Sequence, residues 1–465
     1  MKQCNVVKAI VSLLIGCVCI SSFNALLTAA SMQTEEHYDL LVIAPSEFMD
    51  ALGSLKAHKE QHGLSTKLVS LEDIYQGVYF SVQGRDDPEI IKYFLRDAEE
   101  TWAIQYVMLV GGKDHVPVRY TPECYWGECR DYISDLYYAD LYNASGGFCS
   151  WDSDGDTIFS NKSMKGVLDE VDLYPDIAVG RMLCRTQQEL DTVVDKIIEY
   201  ENTAYGQDWF DNFIACGGDD ARLKWREKEF CSLFNKEGGI LWEGEYIGDM
   251  AADILSDFTA KKIYATGLFR LGVKFLNINN INNAINDGAG FLLFVGHGAS
   301  TNAIYTNFPM IDTLWLPYPY GYDISYAADL QNGYKLPVTV FAGCNCGDFD
   351  SIDNPIAWYF VQKENGGAIA SFGATTGSIV LFSTISAETL TGFLTMEVFR
   401  SYAEGMDCLG DIWKSTISRY LDNEEAMSLG DAFSRLNWQH TLANNYVLEE
   451  WALFGDPSLK IGGFV

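Results

Sequence analysis

The sequence predicts an α/β fold built on mostly parallel sheets, and three observations carry that reading. Short apolar runs alternate with helical patterns from Tyr38 onward, as in layers packed on a sheet. The runs are continuous instead of alternating with polar residues, as expected of strands buried on both faces. Several of them end in glycine-bearing turns, and the carboxyl ends of parallel strands are where open α/β sheets hold their sites. The 465 residues allow two or three domains of about 100–200 residues each. With 48% hydrophobic residues the chain has enough apolar surface to offset the entropy of ordering, which excludes a disordered polymer.

Taken in order, residues 1–30 read as a targeting segment. Lys2 and Lys8 precede the apolar run Ala9 to Ile20, and Thr28-Ala29-Ala30 supplies small residues for cleavage after Ala30. Leu14-Ile15-Gly16-Cys17 also resembles a lipoprotein processing site, and an uncleaved anchor is a third reading. The expected location is secreted or cell-surface, with membrane contact only through an uncleaved or lipidated N-terminus. Tyr38 to Ala44 is a buried-strand run, Pro45 to His62 a helix closed by Gly63, and Leu64 to Ser70 a strand. Asp87 to Thr101 is helical, with Pro88 near its start and Ile90, Ile91, Phe94 and Leu95 on one face. Gln105 to Val110 and Asp176 to Gly180 are strands. Thr186 to Asn202 is a helix that Thr186 and Glu189 open as a capping box.

A boundary at residues 203–207 divides an N-terminal α/β subdomain (38–203) from a second one (204–465). The second begins with the strand Phe213 to Cys216. Its later strands are Gly290 to Val295, Leu336 to Phe341 and Gly367 to Ser371, and its helices run from about Pro355 to Glu364, Ala387 to Glu404 and Asp431 to Asn444.

A formal charge of −32 repels phosphate backbones, so no nucleic acid is expected as a partner. Of twelve cysteines, Cys4, Cys17 and Cys19 lie in the leader, and the odd remainder leaves at least one thiol unpaired within the chain. Cys124, Cys129 and Cys149 are disulfide candidates, whereas Cys184, Cys216, Cys231 and Cys408 read as small packed hydrophobes. Among six histidines, His37, His58 and His62 read as solvated, His115 as part of a structural loop, and His440 as a helix residue with no chemical partner near it in sequence. His297 is different, because it follows an apolar strand in Phe294-Val-Gly-His-Gly-Ala299. Forty-seven residues later the strand Val338-Thr-Val-Phe-Ala-Gly-Cys344 delivers a thiol in the same way. A thiol becomes a strong nucleophile when a base helps to form the thiolate, so adjacent parallel strands ending in His297 and Cys344 would make a catalytic dyad. A buried cysteine beside a hydrogen-bonded loop histidine is the plainer alternative. A metal site from Cys344, Cys346 and His297 lacks a fourth ligand.

These residues resemble the gingipain family of secreted cysteine peptidases. The likeness runs from about Tyr38 to Ile461 through Leu40-Leu-Val-Ile-Ala-Pro-Ser-Glu-Phe48, Gly84-Arg-Asp-Asp-Pro-Glu89, Tyr106-Val-Met-Leu-Val-Gly-Gly112, Ser134-Asp-Leu-Tyr-Tyr-Ala-Asp140, Tyr174-Pro-Asp-Ile-Ala-Val-Gly-Arg181, Gly296-His-Gly298, Gly343-Cys344 and Phe454-Gly-Asp-Pro-Ser-Leu459. The resemblance implies two adjacent three-layer α/β subdomains, the second caspase-like with a mostly parallel sheet. His–Cys spacing of about 50 residues suits that fold, although the caspase signature itself is absent. His297 matches the family's catalytic histidine, and Cys344 its nucleophile through Cys344-Asn-Cys-Gly-Asp-Phe349. Cys346 departs from the family pattern and leaves a second sulfur two residues away. The acid that orients the histidine is matched by Asp219, with Asp220 as the alternative. The main-chain amides of Gly298 and Cys344 are the expected oxyanion donors.

The expected function is an exported cysteine endopeptidase that hydrolyses protein or peptide substrates through a thioester, with no catalytic cofactor. An acyl-transferring ligase or transpeptidase on the same fold, or a catalytically silent secreted binding protein, is the rival reading. Trp151-Asp-Ser-Asp-Gly-Asp156 places Asp152, Asp154 and Asp156 at alternate positions around a glycine, a pattern suited to structural calcium. Position twelve of that loop is Ser163, so it is no helix–loop–helix site, and Asp135 and Asp140 are candidate additional ligands. The solvated acidic turn is the alternative. The stretch Ala221 to Phe230, where the family places its P1-binding acid, carries both charges and aligns with no single residue.

Overall fold

Residues Tyr38 to Ala44 form strand β1 (Leu40–Ala44), whose five side chains are all buried. The computed structural model describes residues 36–125, 128–163, 166–167, 169–218, 243–267, 270–306, 320–380, 385–436 and 442–465. Further strands follow as β2 (Thr66–Ser70), β3 (Tyr106–Val110), β4 (Ala178–Met182), β5 (Asn212–Gly217), β6 (Thr259–Tyr264) and β7 (Lys274–Phe275). The last four are β8 (Phe291–Val295), β9 (Val338–Ala342), β10 (Ala370–Ala374) and β11 (Trp451–Phe454). They make one 11-stranded sheet in the order β7-β6-β5-β8-β9-β10-β11-β4-β3-β1-β2. Pairing is parallel except between β10 and β11. Strands drawn from before residue 204 occupy one end of the sheet, strands from after it the other, and β11 joins them by pairing with β10 and, at Phe454, with Arg181 of β4.

Local chemistry explains the helices that cover the sheet. Asp86 caps Asp87–Trp102 by accepting the Glu89 N–H at 3.0 Å, and the missing N–H of Pro88 costs nothing in the first turn. Thr186 Oγ1 caps Gln187–Thr203 through the Glu189 N–H at 3.2 Å. Glu189 reaches back one residue further than a capping box requires, to the Arg185 N–H at 2.8 Å.

Several expectations are corrected. Pro45 to His62 is broken into a short turn at Ser46–Phe48 and the helix Leu52–Gln61. The strand expected at Gly367 to Ser371 begins three residues later, because Gly366 and Gly367 both have positive φ and complete the turn into it. The helix expected at Asp431 to Asn444 is instead Glu424–Leu436, followed after an undescribed stretch by Ala443–Glu450. Several elements escaped notice, among them β6, which opens on exposed Thr259 and Ala260, and β11, which follows its helix with no turn residue between. His58 is buried, not solvated, and its Nε2 lies 2.9 Å from Glu201. Cys149 is a buried free thiol, not half of a disulfide. Cys124 and Cys129 are directly opposite each other in an antiparallel hairpin. The leader, Cys231 and His440 lie outside the described residues.

Candidate active site

Strands β8 and β9 are adjacent, parallel and in register from Phe291 opposite Val338 to Val295 opposite Ala342. Their carboxyl ends therefore emerge side by side. Gly296 donates its N–H to the Ala342 carbonyl at 3.2 Å, and His297, exposed, then starts a short antiparallel hairpin opposite Tyr305. Past β9, Gly343 and part-exposed Cys344 turn toward that hairpin. The two main chains touch. A methyl group on Gly298 would lie 2.5 Å from the Cys344 carbonyl oxygen and 3.1 Å from its nitrogen, so only glycine permits this approach.

The two sulfurs differ in surroundings. Cys344 Sγ accepts the Ser378 N–H at 3.3 Å and lies 3.6 Å from the Ser378 carbonyl oxygen. Burial pushes its thiol pKa up and the Ser378 N–H pulls it down; negative charge on Glu450 or Glu123 pushes it up again, and the net is a rise. Cys346 is 1% exposed, packs its sulfur 3.8 Å from the Asn302 carbonyl, and is held as a thiol by burial. The rest of Cys344-Asn-Cys-Gly-Asp-Phe349 fixes the loop. Asn345 takes a left-handed conformation (φ 59°) and donates its N–H to Thr376 O at 2.7 Å. Gly347 leaves no room for a side chain, since a methyl there would sit 2.7 Å from the Phe454 ring. Asp348 accepts from Ser300 Oγ at 3.3 Å, which ties the cysteine loop to the histidine hairpin.

Asp219 and Asp220 lie outside the described residues. The chain leading to them is in view, and Gly218 donates to the Val295 carbonyl at 3.1 Å, two residues before His297. Sequence reasoning missed Ser378 and Glu450. Glu450 is fully buried at the end of its helix, and Ser378 Oγ donates to its Oε1 at 2.6 Å. No local pattern marks either residue, since they meet Cys344 only through the sheet.

The acidic loop lies elsewhere. One carboxylate oxygen from each of Asp152, Asp154 and Asp156 falls within 4.8 Å of the others. Asp152 is 4% exposed; its Oδ2 accepts from Arg85 at 2.5 Å, while its buried Oδ1 has no hydrogen-bond partner among the described residues. An orphaned buried oxygen among three hard donors fits a calcium ion. Asp135 and Asp140 do not join it. Asp135 holds both arms of buried Arg181 at 2.6 and 2.7 Å, and Asp140 accepts the Trp151 indole N–H at 2.7 Å.

The sequence profile of peptidase family C25 matches residues 33–462. The chain belongs to that family. Gingipain R2 of Porphyromonas gingivalis strain W83 is 20% identical over 439 residues, which cover 92% of this chain and 47% of that protein. Gingipain R1 of the same species is likewise 20% identical and is covered to 35%. This chain thus spans about half or less of the curated relatives it matches. The crystal structure of the Arg-specific cysteine proteinase gingipain R superposes with a TM-score of 0.61 at 18% identity, over 92% of this chain and 79% of that one. The complex of the pro- and mature domains of Porphyromonas gingivalis RgpB gives 0.60 at 19%, over 91% and 79%. At that identity the superpositions establish a shared fold. The gingipain resemblance and the mostly parallel α/β architecture both hold. Among the described residues, no helix is long and apolar enough to cross a membrane.

Proposed function

We propose that this C25 peptidase is an exported endopeptidase acting through a thioester on Cys344. The observation that carries the reading is the contact between the His297 hairpin and the Cys344 loop at the carboxyl ends of two parallel strands. Cys344 Sγ attacks the scissile carbonyl, and the oxyanion so formed accepts hydrogen bonds from the Gly298 and Cys344 amides. His297 gives its proton to the leaving amine. It then takes one from water as that water opens the thioester, releasing the acid and restoring the thiol. Asp219 orients the imidazole. Protein and peptide chains are the substrates, and the net charge of −32 argues against nucleic acid. The basic, apolar and small-residue order of the first thirty residues supports export to the cell surface or beyond.

Cys344→Ala should abolish cleavage of a peptide library, while Cys346→Ala, which removes a buried sulfur, keeps substantial activity. The reverse pattern would move the nucleophile to Cys346. Mass spectrometry of products made with an added amine separates hydrolysis from acyl transfer, because a transpeptidase would yield mainly the amide. Failure of intact protein to label with a thiol-directed substrate analogue would favour a silent binding protein.

We also infer that Asp152, Asp154 and Asp156 hold a structural calcium ion, supported by the orphaned Asp152 Oδ1. The ion would brace its loop and takes no part in the reaction.

A further inference from the structure

Cys344 Sγ rests on a segment that has no regular structure of its own, yet the polar groups of residues 375–378 bond across to other elements. Thr375 donates its N–H to the Glu450 carbonyl at 2.7 Å, and the Thr376 carbonyl takes the Asn345 N–H at 2.7 Å. Tyr446 donates its hydroxyl to the Gly377 carbonyl. Ser378 Oγ lies 2.6 Å from Glu450 Oε1, 2.6 Å from Thr391 Oγ1 and 3.5 Å from the Trp451 indole nitrogen. Its N–H points at Cys344 Sγ. Glu450, meanwhile, is fully buried, and its Oε2 has no hydrogen-bond partner among the described residues. Packing alone gives no reason for a carboxyl there.

Resting on the peptidase reading, we propose that Glu450 is a positioning residue which, through Ser378 Oγ, holds the Ser378 main-chain N–H on the sulfur of Cys344. An N–H aimed at sulfur favours the thiolate over the thiol, and a peptide N–H is aimed only by what anchors its residue. Burial and one acidic neighbour, not its hydrogen bonds, favour a neutral carboxyl at Glu450. The groups that face it are Ser378 from the loop, whose hydroxyl also meets Thr391 of the following helix, Tyr446 and Trp451 from its own helix and strand, and Glu123 from the hairpin. Burial first, and the Glu123 charge with it, hold Glu450 protonated well above the usual carboxylate range, against the pull of its hydrogen bonds. In its neutral form the Glu450 carboxyl anchors Ser378 without adding a negative field at Cys344. An ionised one would raise the thiol pKa and oppose the N–H it positions.

The test reads thiolate formation directly, as the pH midpoint of Cys344 alkylation by iodoacetamide in the full chain carrying Cys346→Ala, alongside kcat/KM for peptide cleavage. Ser378→Ala and Glu450→Ala should each move the alkylation midpoint up by about one pH unit, a tenfold loss of thiolate below the midpoint. kcat should fall with KM little changed. Glu450→Gln keeps a hydrogen-bonding oxygen without the ionisable group, and should recover most of the shift seen with alanine. Combining Ser378→Ala with Glu450→Ala should cost no more than either alone, since both break one tether. Midpoints equal to the parent in folded Ser378→Ala would overturn the proposal, as would additive losses in the double variant. If Ser378→Ala loses its cooperative thermal transition, Thr391→Val removes the other Oγ partner and carries the same readout. A midpoint shift in a protein that cleaves no peptide would sink the peptidase reading and leave the positioning role standing. Cleavage with no shift would do the opposite.

Discussion

His297 and Cys344 are tied by the main chain more than by their side chains. Gly298 must be glycine because the Cys344 carbonyl lies where its side chain would be, which fixes the close spacing of the hairpin and the cysteine loop. The chemistry is then set by charge. A Cys–His pair works when sulfur is deprotonated and imidazole can donate, which bounds activity on both sides in pH. kcat/KM is expected to be bell-shaped, with limbs that belong to the coupled pair. In the resting chain burial holds the Cys344 thiol up, and the Ser378 N–H works against it toward the thiolate. Asp219→Asn should lower kcat/KM without lowering the melting temperature. A lowered melting temperature with unchanged kcat/KM would make Asp219 a turn residue and leave a dyad.

At the scale of elements, the acidic loop shows how local sequence and tertiary setting divide the work. The alternate spacing of Asp152, Asp154 and Asp156 folds the loop on itself: Asp154 Oδ1 accepts the Asp156 N–H at 3.1 Å, and Asp156 Oδ1 accepts the Ile158 N–H at 2.7 Å. Arg85, from the turn before its helix, supplies one cation already. Calcium is expected to raise the melting temperature of metal-stripped protein and to slow proteolytic nicking at residues 145–160. A ligand at a hundredfold its Kd stabilises by about 2.7 kcal/mol. Identical melting curves in calcium and in chelator would remove the site.

Across the whole molecule, the closing Phe454-Gly-Asp-Pro-Ser-Leu459 is where the sheet and the charge network come together. Phe454 ends the strand that joins the two ends of the sheet. Two residues on, buried Asp456 pairs with Lys59 at 2.7 Å, and Lys59 also donates to Glu201 at 2.8 Å. Glu201 further takes His58 at 2.9 Å and the Lys460 N–H at 2.8 Å. Burial works to raise the Glu201 pKa, but the Lys59 charge and these bonds outweigh it and hold the carboxyl below its usual value. A depressed carboxyl contributes stability that is present above its unfolded value of 4.5 and is lost as pH falls through the folded value. Glu201→Gln should therefore cost about 3–5 kcal/mol at neutral pH, by leaving the buried Lys59 ammonium under-compensated. It should also flatten the loss of stability below pH 4.5. Urea unfolding at pH 7 and pH 4 tests both, and parallel pH dependences in variant and wild type would refute the linkage.

The strands of the buried sheet could be read in the sequence because a strand covered on both faces needs an unbroken apolar run, as in Leu40–Ala44, Phe291–Val295 and Val338–Ala342. The same runs announced His297 and Cys344, since each carries a reactive side chain just past its end. Short-range signals sufficed as well for the cap at Thr186. At β6 the apolar pattern weakens, and β11, though wholly apolar, follows its helix without a turn residue to mark its start. Long-range pairing decided the rest. His58 lies on a Lys- and Glu-bearing stretch that reads as solvated, and Glu201, 143 residues away, makes it a buried partner. Glu450 meets Cys344 across 106 positions of chain, through a serine that follows a different strand. Periodicity reports which face of an element is apolar; which polar group on another element will meet that face depends on strand order, and strand order arises only when the whole sheet closes.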